Sequence, residues 1–305
     1  MSASDPLFAE REPTPGQHER TGFFERDDAV LAAVTHAPEG AGSGVLICPS
    51  LFTEALRNYR REVILARSLA SRGIAAQRFH YRGTGNSSEC DDMTFEGLCA
   101  DARFAKDLLD QTTSVARFAY LGTRFGGLVA ASLAATSPGA PLVLIEPVLE
   151  AARFFKEGLR AKIMSGFRGA GSAGTVAGLM QELEAKGVVD LLGDELEWTL
   201  CDSTRETTLV SALGSDPRPI LIIQLGADEP VRPDYERLST TWRDQGCDVE
   251  VARVGDRSAW WFMDERDPVG VGALRSQGLE AVDDLTAGIV KWLTAHLGNV
   301  SEGAA

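Results

Sequence analysis

Short apolar runs bounded by Gly or Pro alternate with longer amphipathic stretches along most of the chain, and that alternation leaves few folds open. Gly44-Val45-Leu46-Ile47-Cys48 is such a run, and its length and flanks read as a strand buried on both faces. Further strands are expected at Ala75 to Tyr81, Arg117 to Leu121, Leu142 to Ile145, Ile220 to Leu225 and Val249 to Val254. Between them the spacing turns helical. Val63, Ala66 and Ala70 share one face of Tyr59 to Arg72, and Phe95, Leu98, Ala102, Ala105 and Leu109 share one face of a helix that Thr94 is placed to cap. Small residues make Gly126 to Ala135 a closely packed helix, and two more are expected near Asp234 to Gln245 and Leu279 to His296. Strands alternating with helices of this length predict an α/β protein whose mostly parallel, doubly wound sheet is covered on both faces.

The alternation breaks between Glu150 and Asp216. That stretch is helical in character and carries the glycine-rich run Gly166 to Gly174. An insertion between two late strands falls at the ligand-binding end of such a sheet, where a lid or a passive decoration would sit. The expected organisation is a loose tail over 1–20, a core of 21–149 and 217–298 with Phe23 to Ala37 as one or two strands, a cap over 150–216, and a C-terminal tail over 299–305. Acidic residues outnumber basic ones by 44 to 30, a net charge of -14 that would repel nucleic acid and anionic membranes. The N-terminus lacks an apolar signal core and no run is long enough to span a bilayer, so a cytoplasmic protein is expected. Five scattered cysteines, Cys48, Cys90, Cys99, Cys201 and Cys247, show no CxxC spacing and read as free thiols rather than a disulfide or zinc framework.

The chemistry concentrates where strand meets helix. Leu121-Gly122-Thr123-Arg124-Phe125-Gly126-Gly127 has the frame of the strained turn G-x-S-x-G, the nucleophile elbow of serine hydrolases, in which glycines leave room for the turn and the next N–H helps hold an oxyanion. The central residue here is Arg124. A guanidinium stays protonated and has no lone pair with which to attack a carbonyl. The acid of a triad would follow the next-to-last strand, where Gly226-Ala227-Asp228-Glu229-Pro230 puts Glu229 in that place with Asp228 beside it; an ordinary polar loop before a helix reads equally well. The histidine would follow the last strand, but Gly255 to Glu265 contains none, and His18, His36, His80 and His296 are not expected near the elbow. That loop instead offers Trp260 and Trp261 as an aromatic wall or as filling against the cap. Pro49-Ser50-Leu51-Phe52 follows the first buried strand, where a second oxyanion donor would lie. Arg124 is placed either to grip a carboxylate or phosphate or to pair internally with Glu229 or Asp228.

His80-Tyr81-Arg82-Gly83-Thr84-Gly85-Asn86-Ser87 lacks the third glycine of a dinucleotide loop, and no cofactor or metal is expected. The same segment resembles the D-x-R-G-x-G-x-S strand-end loop of α/β-hydrolases, with His80 in place of Asp. Together with Pro49 through Arg57-Asn58-Tyr59-Arg60-Arg61, Leu69-Ala70-Ser71-Arg72-Gly73, Glu146-Pro147-Val148-Leu149, Gly187 to Gly193 and the Trp260-Trp261 pair, it is similar to the bacterial α/β-hydrolases found beside exosortase systems. The resemblance runs from about residue 44 to 292 as spaced motifs. It implies the α/β-hydrolase fold with a helical cap, an arginine at the elbow as a shared trait, and a bacterial biosynthetic setting.

Three functions remain open on the sequence. The first is a non-hydrolytic protein binding a small organic ligand, anionic if Arg124 anchors it, with Glu229 or Asp228 as base and Phe125, Ser50, Leu51, Phe52, Trp260 and Trp261 around it. The second is an esterase or thioesterase using Ser50 or Cys48. The third is a catalytically silent interaction protein, and a homodimer is compatible with any of them.

Overall fold

The structure, a computed structural model, describes residues 8–26, 29–166, 174–226, 229–255 and 284–298. Three antiparallel strands begin the chain: β1 (Phe8–Thr14), β2 (Gln17–Arg26) and β3 (Ala29–Pro38). Then β4 (Ser43–Cys48), α1 (Phe52–Ala70), β5 (Ile74–Phe79), α2 (Phe95–Thr112), β6 (Arg117–Thr123), α3 (Gly126–Ala135) and β7 (Leu142–Ile145) follow in alternation. An insertion contributes α4 (Ala151–Gly166), α5 (Val176–Lys186), the hairpin β8 (Val188–Leu191) and β9 (Asp194–Glu197), α6 (Trp198–Ser203) and α7 (Leu209–Leu213). The core resumes with β10 (Pro219–Leu225), α8 (Pro233–Asp244) and β11 (Asp248–Val254), and α9 (Asp284–Leu297) ends it.

The nine-stranded sheet runs β1-β2-β3-β5-β4-β6-β7-β10-β11, parallel from β5 to β11. The chain leaves β4 toward β5 and returns to the other side of β4 as β6, so the topology switches direction between β4 and β6. In doubly wound sheets ligands bind outside the carboxyl ends of the strands at such a point. Both faces are covered. Val45, Ile47, Leu121, Val143 and Ile223 face α1 and α9 through Leu65, Leu69, Ile289 and Leu293. Their neighbours Leu46, Tyr120, Leu142, Leu144 and Ile222 face α2, α3 and α8. This period-2 division of uniformly apolar strands explains why the runs looked continuous in sequence.

Three expectations need correction. Residues 8–20 are not a loose tail, because Phe8–Thr14 and the first half of β2 extend the sheet. Charge on this segment disguised the strand: Glu19 is 3% exposed yet accepts hydrogen bonds from Arg11 and from Arg67 Nε at 2.6 Å, with His36 Nδ1 3.5 Å away. The insertion is not wholly helical, since its β8–β9 hairpin is built from strands too short to give a periodic signal. Helix α1 also begins earlier than its spacing implied, at Phe52 rather than near Tyr59. Thr94 caps α2 as expected, accepting the Gly97 N–H at 3.1 Å.

The insertion is tied at its neck and at its far side. Leu209 N–H donates to Leu149 O at 2.8 Å and Ala151 N–H to Thr207 O at 3.0 Å, closing the neck. On the far side Asp194 Oδ2 accepts the Thr53 N–H at 2.9 Å, Glu197 Oε2 accepts the Met93 N–H at 2.8 Å, and Ser203 Oγ accepts the Phe95 N–H at 3.1 Å.

Burial opposes ionisation of Glu19, but hydrogen bonds from His36, Arg67 and Arg11 outweigh it and hold the carboxyl well below the usual range. A depressed carboxyl stabilises the fold in full above its unfolded value of about 4.3 and loses that contribution as pH falls below it. Glu19→Gln is therefore expected to lower stability by about 2 kcal/mol at pH 7, with the difference from wild type shrinking below about pH 4. Urea titrations across that range would measure it; a pH-independent difference would remove the ion-pair account of the edge.

Candidate functional site

The turn between β6 and α3 is fixed by backbone crowding. A Cβ on Gly122 would lie 2.5 Å from Gly127 Cα, and one on Gly126 would lie 2.8 Å from the Pro49 carbonyl carbon, with the Cys48 and Pro49 oxygens closer still. Glycine is therefore required at both positions, and the residue between them is forced into the left-handed region, where Arg124 has φ 51°. Its N–H donates to Ile145 O at 3.0 Å. Phe52 (φ 57°) and Glu146 (φ 45°) adopt the same rare conformation just beyond β4 and β7. Strained non-glycine residues thus cluster at the ends of three adjacent strands, as they do at functional sites.

Arg124 is 6% exposed, and its charge is met inside the protein. Nε lies 3.3 Å from Glu54 Oε1, and Nη1 donates to the Glu146 carbonyl at 3.2 Å. Glu54 comes from the first turn of α1, and its other oxygen accepts the Ser50 hydroxyl at 2.7 Å. Burial raises the Glu54 carboxyl, while Arg124 and Ser50 pull it back. The Glu146 side chain accepts the Leu225 N–H at 2.6 Å and the Tyr235 hydroxyl at 3.1 Å, and pairs with Arg232 at 3.3 Å. Aromatic rings seal the other side: Phe125 is fully buried and packs on Phe154 and Phe155 of α4 at centroid distances of 5.2 and 5.7 Å, and Phe52 stacks on Phe154 at 6.3 Å.

Beside this closed elbow, over the ends of β4 and β5, lies a cavity of about 1300 Å³. The β4–α1 turn contributes Ser50, Leu51 and Phe52, and one face of α1 contributes Ala55, Leu56, Tyr59 and Glu62. The loop after β5, from His80 to Met93, forms a second wall and the β8–β9 hairpin with Trp198 a third. Glu62 is 5% exposed; one oxygen accepts Asn58 Nδ2 at 2.8 Å, and the same amide reaches Thr123 Oγ1 at 3.2 Å. Burial pushes the Glu62 carboxyl up to about 7 against the opposing pull of Arg78 and Asn58. The His80 ring lies 5.8 Å from that of Tyr59, and its Nδ1 accepts the Asn86 N–H at 3.0 Å, which leaves the proton of the neutral ring on Nε2. Burial, then Arg78, lowers its pKa.

Of the residues singled out in sequence, Ser50, Leu51 and Phe52 line the cavity, whereas Arg124 and Phe125 are packed beside it. Of the two roles open to Arg124, gripping a ligand or pairing internally with Glu229 or Asp228, the described residues show an internal pair with Glu54. Glu229 is exposed on the turn after β10, where its carbonyl accepts Arg253 Nη1 at 2.9 Å. Asp228, Trp260 and Trp261 lie outside the described residues. Cys48 is fully buried, and burial raises its thiol well above the ordinary range, which keeps it un-ionised. Glu54 and Glu62 were missed by motif reading, and His80 was noted only as the residue in place of Asp in the strand-end loop. The acidic residue in the first turn of α1 was the available signal for Glu54; Glu62 carried none beyond its type.

A carboxyl held protonated in the folded state makes stability fall as pH rises from its unfolded value, about 4.3, to its folded value. For Glu62 that window ends at about 7. Glu62→Gln should therefore gain on wild type between pH 5 and pH 8, by at most about 3 kcal/mol, in urea unfolding experiments. A constant difference over the window would show that Glu62 is already ionised at pH 5.

No family model matches the sequence. Two uncharacterized proteins from two strains of Mycobacterium tuberculosis are 37% identical over 114 residues, 37% of this chain, so the match spans 38% of their length. Among solved structures, Est1E from Butyrivibrio proteoclasticus superposes with a TM-score of 0.58 at 15% identity, covering 92% of this chain and 99% of that one. An esterase from Pyrococcus furiosus gives 0.58 at 12% identity over 98% and 95% of the two chains. Mouse alpha/beta hydrolase domain-containing protein 10 gives 0.53 at 16% identity over 90% and 98%. Taken with the sheet order and the glycine-framed turn, these likenesses establish that the chain has the α/β-hydrolase fold.

Proposed function

We propose that this protein binds a small organic ligand in the cavity between the carboxyl edge of its sheet and the insertion, which serves as the cap, and that it does so without acyl-enzyme chemistry at the elbow. The observation that carries the reading is the state of residue 124. The elbow frame is intact, but its side chain is a buried guanidinium paired with Glu54 and the Glu146 carbonyl. An ion pair of this kind supplies orientation and a local dipole, not a nucleophile. The sequence of the last loop, Gly255 to Glu265, adds no histidine to serve as base. Because Glu54 already balances Arg124, the charge offered to a ligand at the elbow is that of a pair rather than of a bare cation. The resemblance to exosortase-associated proteins adds a bacterial biosynthetic setting to this reading.

A hydrolytic alternative has one observation in its favour: Ser50 lines the cavity and donates its hydroxyl to Glu54 at 2.7 Å. Burial raises the Glu54 carboxyl, but that carboxyl is already shared between Ser50 and Arg124, and a serine needs a base free to take its proton before it can attack an ester. The two readings separate under a fluorophosphonate probe and short acyl p-nitrophenyl esters. Neither labelling nor turnover is expected of the wild type, and Arg124→Ser is expected to gain no turnover. Stoichiometric labelling abolished by Ser50→Ala would establish the hydrolase instead. Native mass spectrometry of the purified chain against a panel of small ligands tests the cavity itself, and an unresponsive protein would move the reading to a silent scaffold.

A further inference from the structure

We infer that the cavity takes a ligand bearing a positively charged amine, seated against Glu62. This deepens the ligand-binding reading and rests on it. The first support is the distribution of charge around the cavity. Glu89, Asp91 and Asp92 from the loop after β5 and Glu195 from β9 are exposed at its rim, and among the described residues no Lys or Arg lines it. Asp194 and Glu197 also line it, but their carboxylates are engaged by the Thr53 and Met93 N–H groups and serve the cap. A low-dielectric cleft ringed by one sign of charge concentrates ligands of the other sign.

The second support is independent of the rim. Glu62 lines the cavity at 5% exposure, and only its Oε1 is satisfied, by Asn58. Among the described residues Oε2 has no hydrogen-bond partner. Oε2 is not among the enclosed side-chain atoms that lack a partner, so it opens on the cavity, where an ammonium is a donor that also compensates charge. Neighbouring groups leave that role vacant. Burial, then Arg78, disfavours the cationic form of His80, whose Nδ1 accepts the Asn86 N–H. Arg78, the cation that acts on Glu62, donates to His36 Nε2 at 3.2 Å and lies over the Tyr59 ring at 5.1 Å, outside the cavity lining. Leu51, Phe52, Leu56, Val188 and Trp198 give the remaining wall an apolar character. The site therefore fits an amine attached to an apolar or aromatic body, not a bare cation.

Three ligands of one shape test this: phenethylamine, 2-phenylethanol and phenylacetate, titrated into the full-length protein by calorimetry at low salt. The amine should bind at least tenfold more tightly than the alcohol, with the carboxylate weakest. Glu62→Gln should remove that preference while leaving binding of the alcohol unchanged. If Glu62→Gln does not fold, the exposed pair Asp92→Asn with Glu195→Gln should lower amine affinity severalfold and flatten its salt dependence without touching the alcohol. Equal or tighter binding of the alcohol or the carboxylate would overturn the amine assignment and leave the cavity reading standing. Binding by none of the three would overturn both.

Discussion

Everything at the carboxyl edge of the sheet depends on how closely the start of α3 rests on the carbonyls that end β4. With no side chain at Gly126, the two backbones come within a distance that fixes the angle between β6 and α3 and pins the Pro49–Phe52 turn beneath them. That constraint is indifferent to the identity of residue 124, which is why an elbow can persist after its nucleophile is gone. What the constraint does dictate is burial. A guanidinium placed there must be compensated, since removing one partner of a buried pair costs about 3–5 kcal/mol. Glu54 and the strained Glu146 meet that demand, and Glu54 can do so because α1 begins at Phe52 and turns its first acidic residue back over the elbow.

The same helix organises a second layer of polar groups. Asn58 bridges Thr123 at the end of β6 to Glu62, Arg78 reaches His36, and His36 approaches Glu19, which Arg67 holds from the last turn of α1. A row of buried polar side chains thus runs along the sheet from the elbow to the antiparallel strands. Such groups tolerate few alternative arrangements, because each loses a partner if its neighbour moves. The row gives the charged edge strands a defined register and holds one wall of the cavity in place, so edge and site are built from a single set of contacts.

The parallel core was legible because its strands are apolar on both faces and its turns are marked by glycine; α3 and β7 fall where the sequence put them. The elbow was legible from Gly122 and Gly126 alone. What was hidden shares one cause: polar residues whose partners are far away in sequence. Glu19 in a stretch of mixed charge looks like solvent-facing tail until Arg67 and His36 are brought to it. Glu62 looks like an exposed helical residue until β5 and the following loop cover it, and His80 looks remote until the same loop bends it toward Tyr59. Short hairpin strands such as Val188–Leu191 leave no periodic trace, so the insertion read as helix throughout.

The way the insertion is fastened also decides which ligands the fold forgoes. Helices α1 and α2 present their positive dipole ends toward the insertion, and free N–H groups in that position are what a phosphate ordinarily uses. Here the Thr53 N–H is taken by the Asp194 carboxylate and the Phe95 N–H by the Ser203 hydroxyl. A phosphorylated ligand would have to evict an anion from one dipole and a capping hydroxyl from the other, opening the insertion as it did so. In this chain the two helix ends that many α/β proteins devote to phosphates fasten the insertion to the core.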